Sequence, residues 1–133
     1  MPYVGENEAL NSPFLELDAI AGGLGAAPWR ASLVGTPAMR VVLLHWPAGY
    51  STVPHHHPGA DEIFLVISGR ACFTISDRPE REVGPGELML AKRGELHTIR
   101  VPDGAPLMLL AAVGPNEAGP GETIEPASGA QTI

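Results

Sequence analysis

The chain has 133 residues, of which 44% are hydrophobic and 17% charged, and it contains 16 glycines and 14 prolines. These values predict a single soluble globular domain of short strands and turns rather than a bundle of helices. The net charge of −7 and the lack of a basic run argue against a nucleic-acid partner, and the apolar runs are far shorter than the roughly 20 residues of a membrane-spanning helix.

The N-terminal residues and the cysteine content suggest where the protein works. The first residues are acidic and lack the basic segment of a secretory signal, so we predict a cytoplasmic protein. Cys72 is the single cysteine, which excludes an internal disulfide. It falls on the opposite strand face from Phe73, so we expect it to lie outside the core as a small structural residue rather than a nucleophile.

Residues 1–27 combine helical and non-helical signals. Leucine and isoleucine recur through this segment, but Pro13 and the glycine pair at 22–23 interrupt the pattern. The segment therefore predicts an irregular arm with a short helical turn near 14–20.

Apolar runs separated by turn residues predict the strands of the domain. In chain order these runs are 29–33, 38–46, 51–57, 62–68, 71–75, 88–91, 97–101 and 107–113. Residues 76–81 are expected to form a polar turn, and residues 114–133, which lack Lys and Arg, a flexible tail. About eight short strands with little helix predict an all-β sandwich or barrel.

Three consecutive histidines lie in the third predicted strand. Because side chains alternate along a strand, His55 and His57 share one face and His56 points away. A Pro-Gly turn then reverses the chain, and Glu62 begins the next strand, so its carboxylate returns alongside the two imidazoles. Farther along, His97 lies on the apolar face of its own strand.

This pattern predicts a metal site. Two imidazoles and a carboxylate on one face, joined by a third inward-facing histidine, form a ligand set for a divalent transition metal. The alternative is a hydrogen-bonded polar cluster, but burying these groups without partners would cost several kcal/mol. We predict that His55, His57, Glu62 and His97 bind one Fe, Mn, Ni, Co, Cu or Zn ion, since three nitrogens and one carboxylate suit Ca or Mg poorly.

Two segments resemble the signature motifs of the cupin superfamily. The first motif is matched at every defining position, by Gly49, His55, His57, Glu62 and Gly69. The second is matched by Gly86, Gly94 and His97, with Lys92 where a proline is usual and Val101 where an asparagine is frequent. The resemblance covers residues 41–113 and implies a jelly-roll barrel, or double-stranded β-helix, with the metal inside. The whole chain, 1–133, would then be one cupin domain with an N-terminal arm at 1–27 and a tail at 114–133.

Other residues have weaker claims to a functional role. His45 lies on a neighbouring strand and is expected to be a core or rim residue, with a role as proton donor as the alternative. Arg93 and Arg100 could bind an anionic substrate, but Arg100 has the outward phase of its strand. Five large residues are candidate walls of an interior pocket, and in a small barrel they would also form the core: Trp46, Phe64, Phe73, Met89 and Ile99.

We predict a metal-dependent enzyme that acts on a small molecule, with dioxygenase-like chemistry as the first interpretation. Four protein ligands leave one or two coordination positions open, where substrate and oxygen would bind. The alternatives are an isomerase or lyase, in which the metal polarises a carbonyl, and a binding protein without catalytic activity. The cupin fold serves all of these functions, so the resemblance does not decide among them.

The strand that begins at Glu62 predicts a homodimer. If Glu62 faces the metal, then Ile63, Leu65 and Ile67 face outward, where they need a cover. The arm is rich in Gly and Pro, which makes it a poor cover, so a second subunit is expected at these residues.

Overall fold

The computed structural model of the protein describes residues 8–116 and the backbone of residues 122–123. This part of the chain contains one helix, α1 (Leu17–Leu24), and ten strands. The strands are β1 (Trp29–Thr36), β2 (Met39–Trp46), β3 (His55–His56), β4 (Asp61–Ser68), β5 (Ala71–Ile75), β6 (Arg81–Val83), β7 (Leu88–Ala91), β8 (His97–Arg100), β9 (Leu107–Gly114) and β10 (Glu122–Thr123).

The strands form two five-stranded antiparallel sheets. The first sheet has the order β1-β2-β9-β4-β7, and the second has the order β10-β3-β8-β5-β6. Apart from the hairpins β1–β2 and β5–β6, strands that are neighbours in sequence belong to different sheets, so the chain passes back and forth between the two sheets. This is the jelly-roll barrel that the resemblance to cupins implies, and it confirms the all-β sandwich or barrel predicted from the strand pattern.

The core lies between the two sheets. Alternate residues of each strand point into it, as in β9, where every second side chain is buried. Four of the five predicted wall residues, Trp46, Phe64, Phe73 and Ile99, are 0–3% exposed in this cluster, and Met89 is 8% exposed. The inner faces of both sheets therefore supply a continuous apolar lining.

A second apolar cluster lies on the outer face of the first sheet, under α1. Leu17, Ile20 and Leu24 of the helix pack against this cluster, which also contains Trp29 and Ile67. The prediction of an irregular arm with a short helical turn at 14–20 was wrong about the position and length of the helix. The helix begins three residues after the start of the predicted turn and ends four residues after its end, across both glycines at 22–23, because its apolar side chains are stabilised by packing on the sheet.

Three further predictions of secondary structure need correction. The polar turn at 76–81 ends in a strand, β6, whose pairing with β5 outweighs its polar composition. Only His55–His56 of the predicted strand at 51–57 forms a strand, since Pro54 cannot donate a ladder hydrogen bond. The predicted tail falls mostly outside the described residues; within it, Gly114 ends β9 and residues 122–123 pair with β3.

The alternation predicted for β4 is present. Glu62, Phe64 and Val66 are buried, whereas Ile63 is 42% exposed. Of the outward-facing residues Ile63, Leu65 and Ile67, the last lies in the cluster under α1. The arm therefore covers one end of this row, and the prediction that it is a poor cover was wrong at Ile67. Ile63 stays open, and the facing residue on β7, Leu90, is 45% exposed.

The turn between β4 and β5 depends on Gly69. Its φ is +82°, a conformation that side chains with a Cβ rarely adopt. A Cβ at this position would also collide with the carbonyl oxygen of Pro106. The glycine is therefore required where the chain passes from the first sheet to the second.

Among the described residues, α1 is the one helix, and it is too short to cross a membrane.

Candidate metal centre

Both sheets contribute to a single cluster of polar side chains inside the barrel. His55 belongs to β3 and pairs directly with His97 at the start of β8, while His57 follows β3 by one residue. Glu62 reaches the cluster from β4 in the other sheet. The structure thus brings together all four residues that the sequence singled out.

The donor atoms of these residues converge on one point. One ligand atom from each of the four side chains lies within 4.8 Å of all the others. The Oε1 atom of Glu62 is 3.0 Å from His57 Nε2 and 3.2 Å from His97 Nε2. The ring centroids of His55 and His97 are 4.3 Å apart.

Backbone carbonyls orient two of the imidazoles. His55 Nδ1 is 3.2 Å from the carbonyl oxygen of Val53, and His97 Nδ1 is 3.3 Å from that of Glu95. A carbonyl accepts a hydrogen bond, so each Nδ1 carries the proton and donates it. The lone pair of each ring is then on Nε2, which belongs to the converging set, as is usual for histidines that bind metals.

The cluster is buried in an apolar environment. His55, His57, Glu62 and His97 are each 0–2% exposed. The ring of Phe64 makes an edge contact with His97 at a centroid distance of 5.3 Å, and Ile99 follows on the same face of β8. Such surroundings exclude water and strengthen electrostatic interactions among the four groups.

Burial and neighbouring charges shift two pKa values. Burial lowers the pKa of His55 to about 4, and the nearby His97 acts in the same direction. Burial acts to raise the pKa of Glu62, but the adjacent imidazoles of His57 and His97 outweigh it and hold that pKa below its usual value. At neutral pH, His55 is therefore a neutral ligand and Glu62 is a carboxylate, which are the protonation states that a metal requires.

The donor set fits a divalent transition metal. His55 Nε2 and Glu62 Oε2 are buried without a hydrogen-bond partner in the described part of the chain. A buried polar atom in this state costs free energy unless another group satisfies it. Metal–ligand distances of about 2.0–2.2 Å keep donors within about 4.4 Å of one another, close to the observed spread.

The remaining predicted residues lie away from the cluster. His56 is half-buried and does not belong to it, as alternation along the strand predicts. His45 packs against Trp29 in the outer cluster, so it is not a pocket proton donor. Arg100 is exposed and pairs with Glu80 at 2.9 Å. Cys72 is 5% exposed and belongs to the buried core residues, so the expectation that it lies outside the core was wrong; burial raises the pKa of its thiol.

Sequence reasoning missed two residues that position the site. The Thr52 hydroxyl accepts a hydrogen bond from the Ile99 backbone N–H at 2.9 Å, which fixes the chain before the histidines to β8. Asp61 Oδ1 accepts one from the Arg93 backbone N–H at 2.7 Å, which holds the turn before His97. The side chains of Thr and Asp often bond to backbone in turns, but their partners here are 47 and 32 residues away, beyond any local pattern.

Comparisons with known proteins place this site in a familiar fold. The family model described as the Cupin domain matches residues 42–113. Dimethylsulfoniopropionate lyase DddQ of Ruegeria pomeroyi is 33% identical over 73 residues, which are 55% of this chain and 35% of the lyase. The chain thus spans about a third of the length of this curated relative.

Solved structures resemble the protein over most of its length. DMSP lyase DddQ from Ruegeria pomeroyi matches with a TM-score of 0.62 and 25% identity, over 85% of this chain and 56% of the lyase chain. An uncharacterized conserved protein with a double-stranded β-helix domain, from Klebsiella pneumoniae, matches with a TM-score of 0.69 and 25% identity, over 82% and 95%. KdgF from Halomonas sp. has a TM-score of 0.62 at 20% identity, over 67% and 79%, which shows a likeness of fold.

Proposed function

Because this chain belongs to the cupin family, we propose that it is a metal-dependent enzyme that acts on a small molecule. The observation that carries the proposal is the convergence of His55, His57, Glu62 and His97 within 4.8 Å, at 0–2% exposure. Three nitrogens and one carboxylate suit Fe, Mn, Co, Ni, Cu or Zn. We propose one such ion per chain, held by these four residues.

The chain's own residues prepare the site for a metal and a substrate. Val53 and Glu95 fix the tautomers of two histidines through their carbonyl oxygens, so those rings need no rearrangement on binding. Phe64 and Ile99 keep water away from the donors. A bound divalent ion supplies a Lewis acid that polarises a carbonyl or carboxylate oxygen of the substrate.

We favour lyase chemistry for the reaction. Support comes from the relative that is a dimethylsulfoniopropionate lyase and is 33% identical to this chain over 73 residues. In such an elimination a base removes a proton next to a carbonyl or carboxylate group, the electrons of that C–H bond form a C=C bond, and the leaving group departs with its own bonding pair. A bound metal would make that C–H more acidic. The shared stretch is 35% of the lyase, so the substrate of that enzyme is one candidate among small carboxylates.

Dioxygenase chemistry is the second candidate. A mixed set of three imidazoles and one carboxylate accepts Fe(II), and the apolar lining formed by Phe64 and Ile99 shields a redox-active centre from water. It was the first interpretation of the sequence. The lyase relative now makes it the less favoured of the two.

One experiment separates these reactions from simple binding. The purified protein, loaded separately with Fe(II), Mn(II) and Zn(II), is incubated with a panel of small carboxylates that includes dimethylsulfoniopropionate. Cleavage without oxygen consumption indicates a lyase, and oxygen consumption with Fe(II) alone indicates a dioxygenase. Binding without any product, for every metal and compound, would contradict the proposal of an enzyme. His57→Ala provides the control, because any genuine activity must disappear with this ligand.

We also propose that the protein forms a homodimer through the outer face of β4 and β7. Ile63 and Leu90 face each other across these strands and are 42% and 45% exposed, and Leu88 on the same row is 59% exposed. Full burial of such a side chain stabilises by roughly 1.5–3 kcal/mol, and covering one that is already about half-buried gives roughly half of that. A two-fold partner would cover this row on both subunits at once. Light scattering that gives a stable monomer at micromolar concentration would contradict the dimer.

A further inference from the structure

A cavity of about 310 Å³ opens at the free edges of the two sheets. Its floor is apolar and consists of residues from β5, β6 and β7: Phe73, Ile75, Val83 and Met89. Its rim is polar and carries the guanidinium groups of Arg78 and Arg81 and the carboxylate of Glu87. The volume lies at the lower end of the range for ligand pockets, about 300–1,000 Å³.

The two rim arginines are held in place but keep donors to spare. Arg78 Nη1 donates to the carbonyl oxygen of Ile75 at 3.3 Å and to Glu95 at 3.1 Å. Arg81 Nη2 donates to Glu87 at 3.1 Å. A guanidinium has five N–H donors in a planar fork that matches a carboxylate, so each arginine can bind an anion in addition to its ion pair.

The acidic residues of the rim do not block this role. One oxygen of Glu87 is bonded to Arg81, and the other accepts from the Gly84 backbone N–H at 2.7 Å. Glu95, the partner of Arg78, does not itself line the cavity; it accepts from the Lys92 backbone N–H at 3.0 Å and from Arg78. Both carboxylates are therefore engaged by backbone and arginine. Among the residues that line the cavity, two arginines face one glutamate.

The floor of the cavity is one layer of side chains away from the metal cluster. Phe73 in the floor contacts Phe64 with a centroid distance of 5.2 Å, and Phe64 contacts His97 at 5.3 Å. Ile75, also in the floor, pairs in register with His97 on the neighbouring strand. Because the four donor residues are 0–2% exposed, a substrate needs an approach to them; none of the four lines this cavity, but Ile75 in its floor is the register partner of His97.

We propose that this cavity binds the substrate of the metal centre, and that the substrate is a small organic carboxylate with an apolar body. Arg78 and Arg81 bind this carboxylate at the rim and the apolar part rests on Phe73 and Met89, so the oxygen that a metal would polarise belongs to a second group of the substrate. The inference rests on the proposed metal-dependent function for the direction of approach, but the binding of a carboxylate in the cavity does not require a metal. Arg78 and Arg81 are specificity-determining residues in this account.

Binding is tested with benzoate and its uncharged analogue benzamide, added to the full chain freed of metal by a chelator. Chemical shifts of backbone amides are followed by two-dimensional NMR. Benzoate is expected to shift the amides of residues 73–89 in a saturable manner, and Arg78→Gln and Arg81→Gln are each expected to weaken its binding about three- to tenfold. Benzamide is expected to bind more weakly and to be insensitive to both changes.

Arg70→Gln is the matched control for these variants. Arg70 is also an exposed arginine in an ion pair, at 2.7 Å from Glu82, but it does not line the cavity. It is expected to bind benzoate as the unaltered protein does. Equal binding of benzoate and benzamide, equal loss in all three variants, or no saturable shifts near the cavity would overturn the inference.

The link to the metal centre is tested by loading the protein with paramagnetic Mn(II) or diamagnetic Zn(II). The ring protons of bound benzoate are expected to relax faster with Mn(II), because this effect falls steeply with distance from the ion. If Mn(II) binds but relaxation equals that with Zn(II), the inference fails and the proposed function stands. If neither metal binds while benzoate still shifts the cavity amides, the proposed function fails and carboxylate binding stands.

Discussion

Acid should destabilise the metal-free protein well before its carboxylates are protonated, and His55 is the reason. Its pKa is about 4 in the folded protein and 6.5 when unperturbed. Between these values the unfolded chain binds one more proton at this residue than the folded chain does. A folded pKa that lies below the unfolded one gives stability that is present above pH 6.5 and is lost as the pH falls towards 4.

The size of the effect follows from the shift. One pKa unit corresponds to about 1.4 kcal/mol, so the free energy of unfolding should fall by about 3 kcal/mol over this interval. The pKa of Glu62 is also lowered, but the stability that its carboxylate contributes is lost only as the pH falls below 4.5, the usual pKa of a glutamate. Between pH 6.5 and 4.5, protonation of His55 in the unfolded chain is therefore the main cause of any difference in pH dependence between the unaltered protein and a variant at this residue.

Urea unfolding of the chelator-treated protein, followed by circular dichroism from pH 7 to 4.5, measures this loss. His55→Gln is the control, because glutamine keeps a polar group at the position but does not titrate. The variant should show a shallower pH dependence, by up to about 1.4 kcal/mol per pH unit. Equal stability of the unaltered protein at pH 6.5 and 4.5, or equal slopes in the two proteins, would refute the reasoning. Saturating metal should steepen the acid loss, since protons and metal compete for the ligands.

Further predictions concern binding, assembly and folding. His57→Ala should abolish metal binding and leave the circular dichroism spectrum unchanged. His56→Ala is the control and should bind metal as the unaltered protein does. If His57→Ala is globally unfolded, the metal is needed for folding rather than for activity. Ile63→Glu should convert the dimer to a monomer by light scattering, and a variant that stays dimeric would exclude this face. Gly86→Ala should cost about 1 kcal/mol for its positive φ alone. Gly69→Ala should cost clearly more because of the added collision with Pro106, and equal urea midpoints for the two variants would contradict the reasoning.

Local patterns in the sequence were sufficient to predict the site. Strand alternation placed His55, His57 and His97 on inner faces, and the turn after the histidines brought back Glu62; the structure has this arrangement. Side chains of a strand alternate between its two faces, so the inward positions can be read from the sequence. A polar residue at an inward position costs free energy unless it has a partner, so several such residues are expected to lie together. Their role as metal ligands stays a prediction.

Features that depend on distant contacts could not be predicted in the same way. The helix Leu17–Leu24 contains two glycines and forms because it packs on the sheet, which no local propensity indicates. Because this helix covers Ile67, a smaller part of the outer face of β4 is exposed than the alternation of residues along the strand predicts. Arg78 and Arg81 were assigned to a polar turn, and their position at a cavity follows only from the pairing of β6 with β5.

Metal analysis of the purified protein tests the central claim most directly. Protein prepared without chelator or a nickel column, and then supplied with one metal at a time, should bind one transition-metal ion per chain. His57→Ala and Glu62→Ala should bind none, and His56→Ala should bind one. Folded protein that takes up no transition metal, or ligand variants that retain a full equivalent, would contradict the assignment of His55, His57, Glu62 and His97 as the metal site.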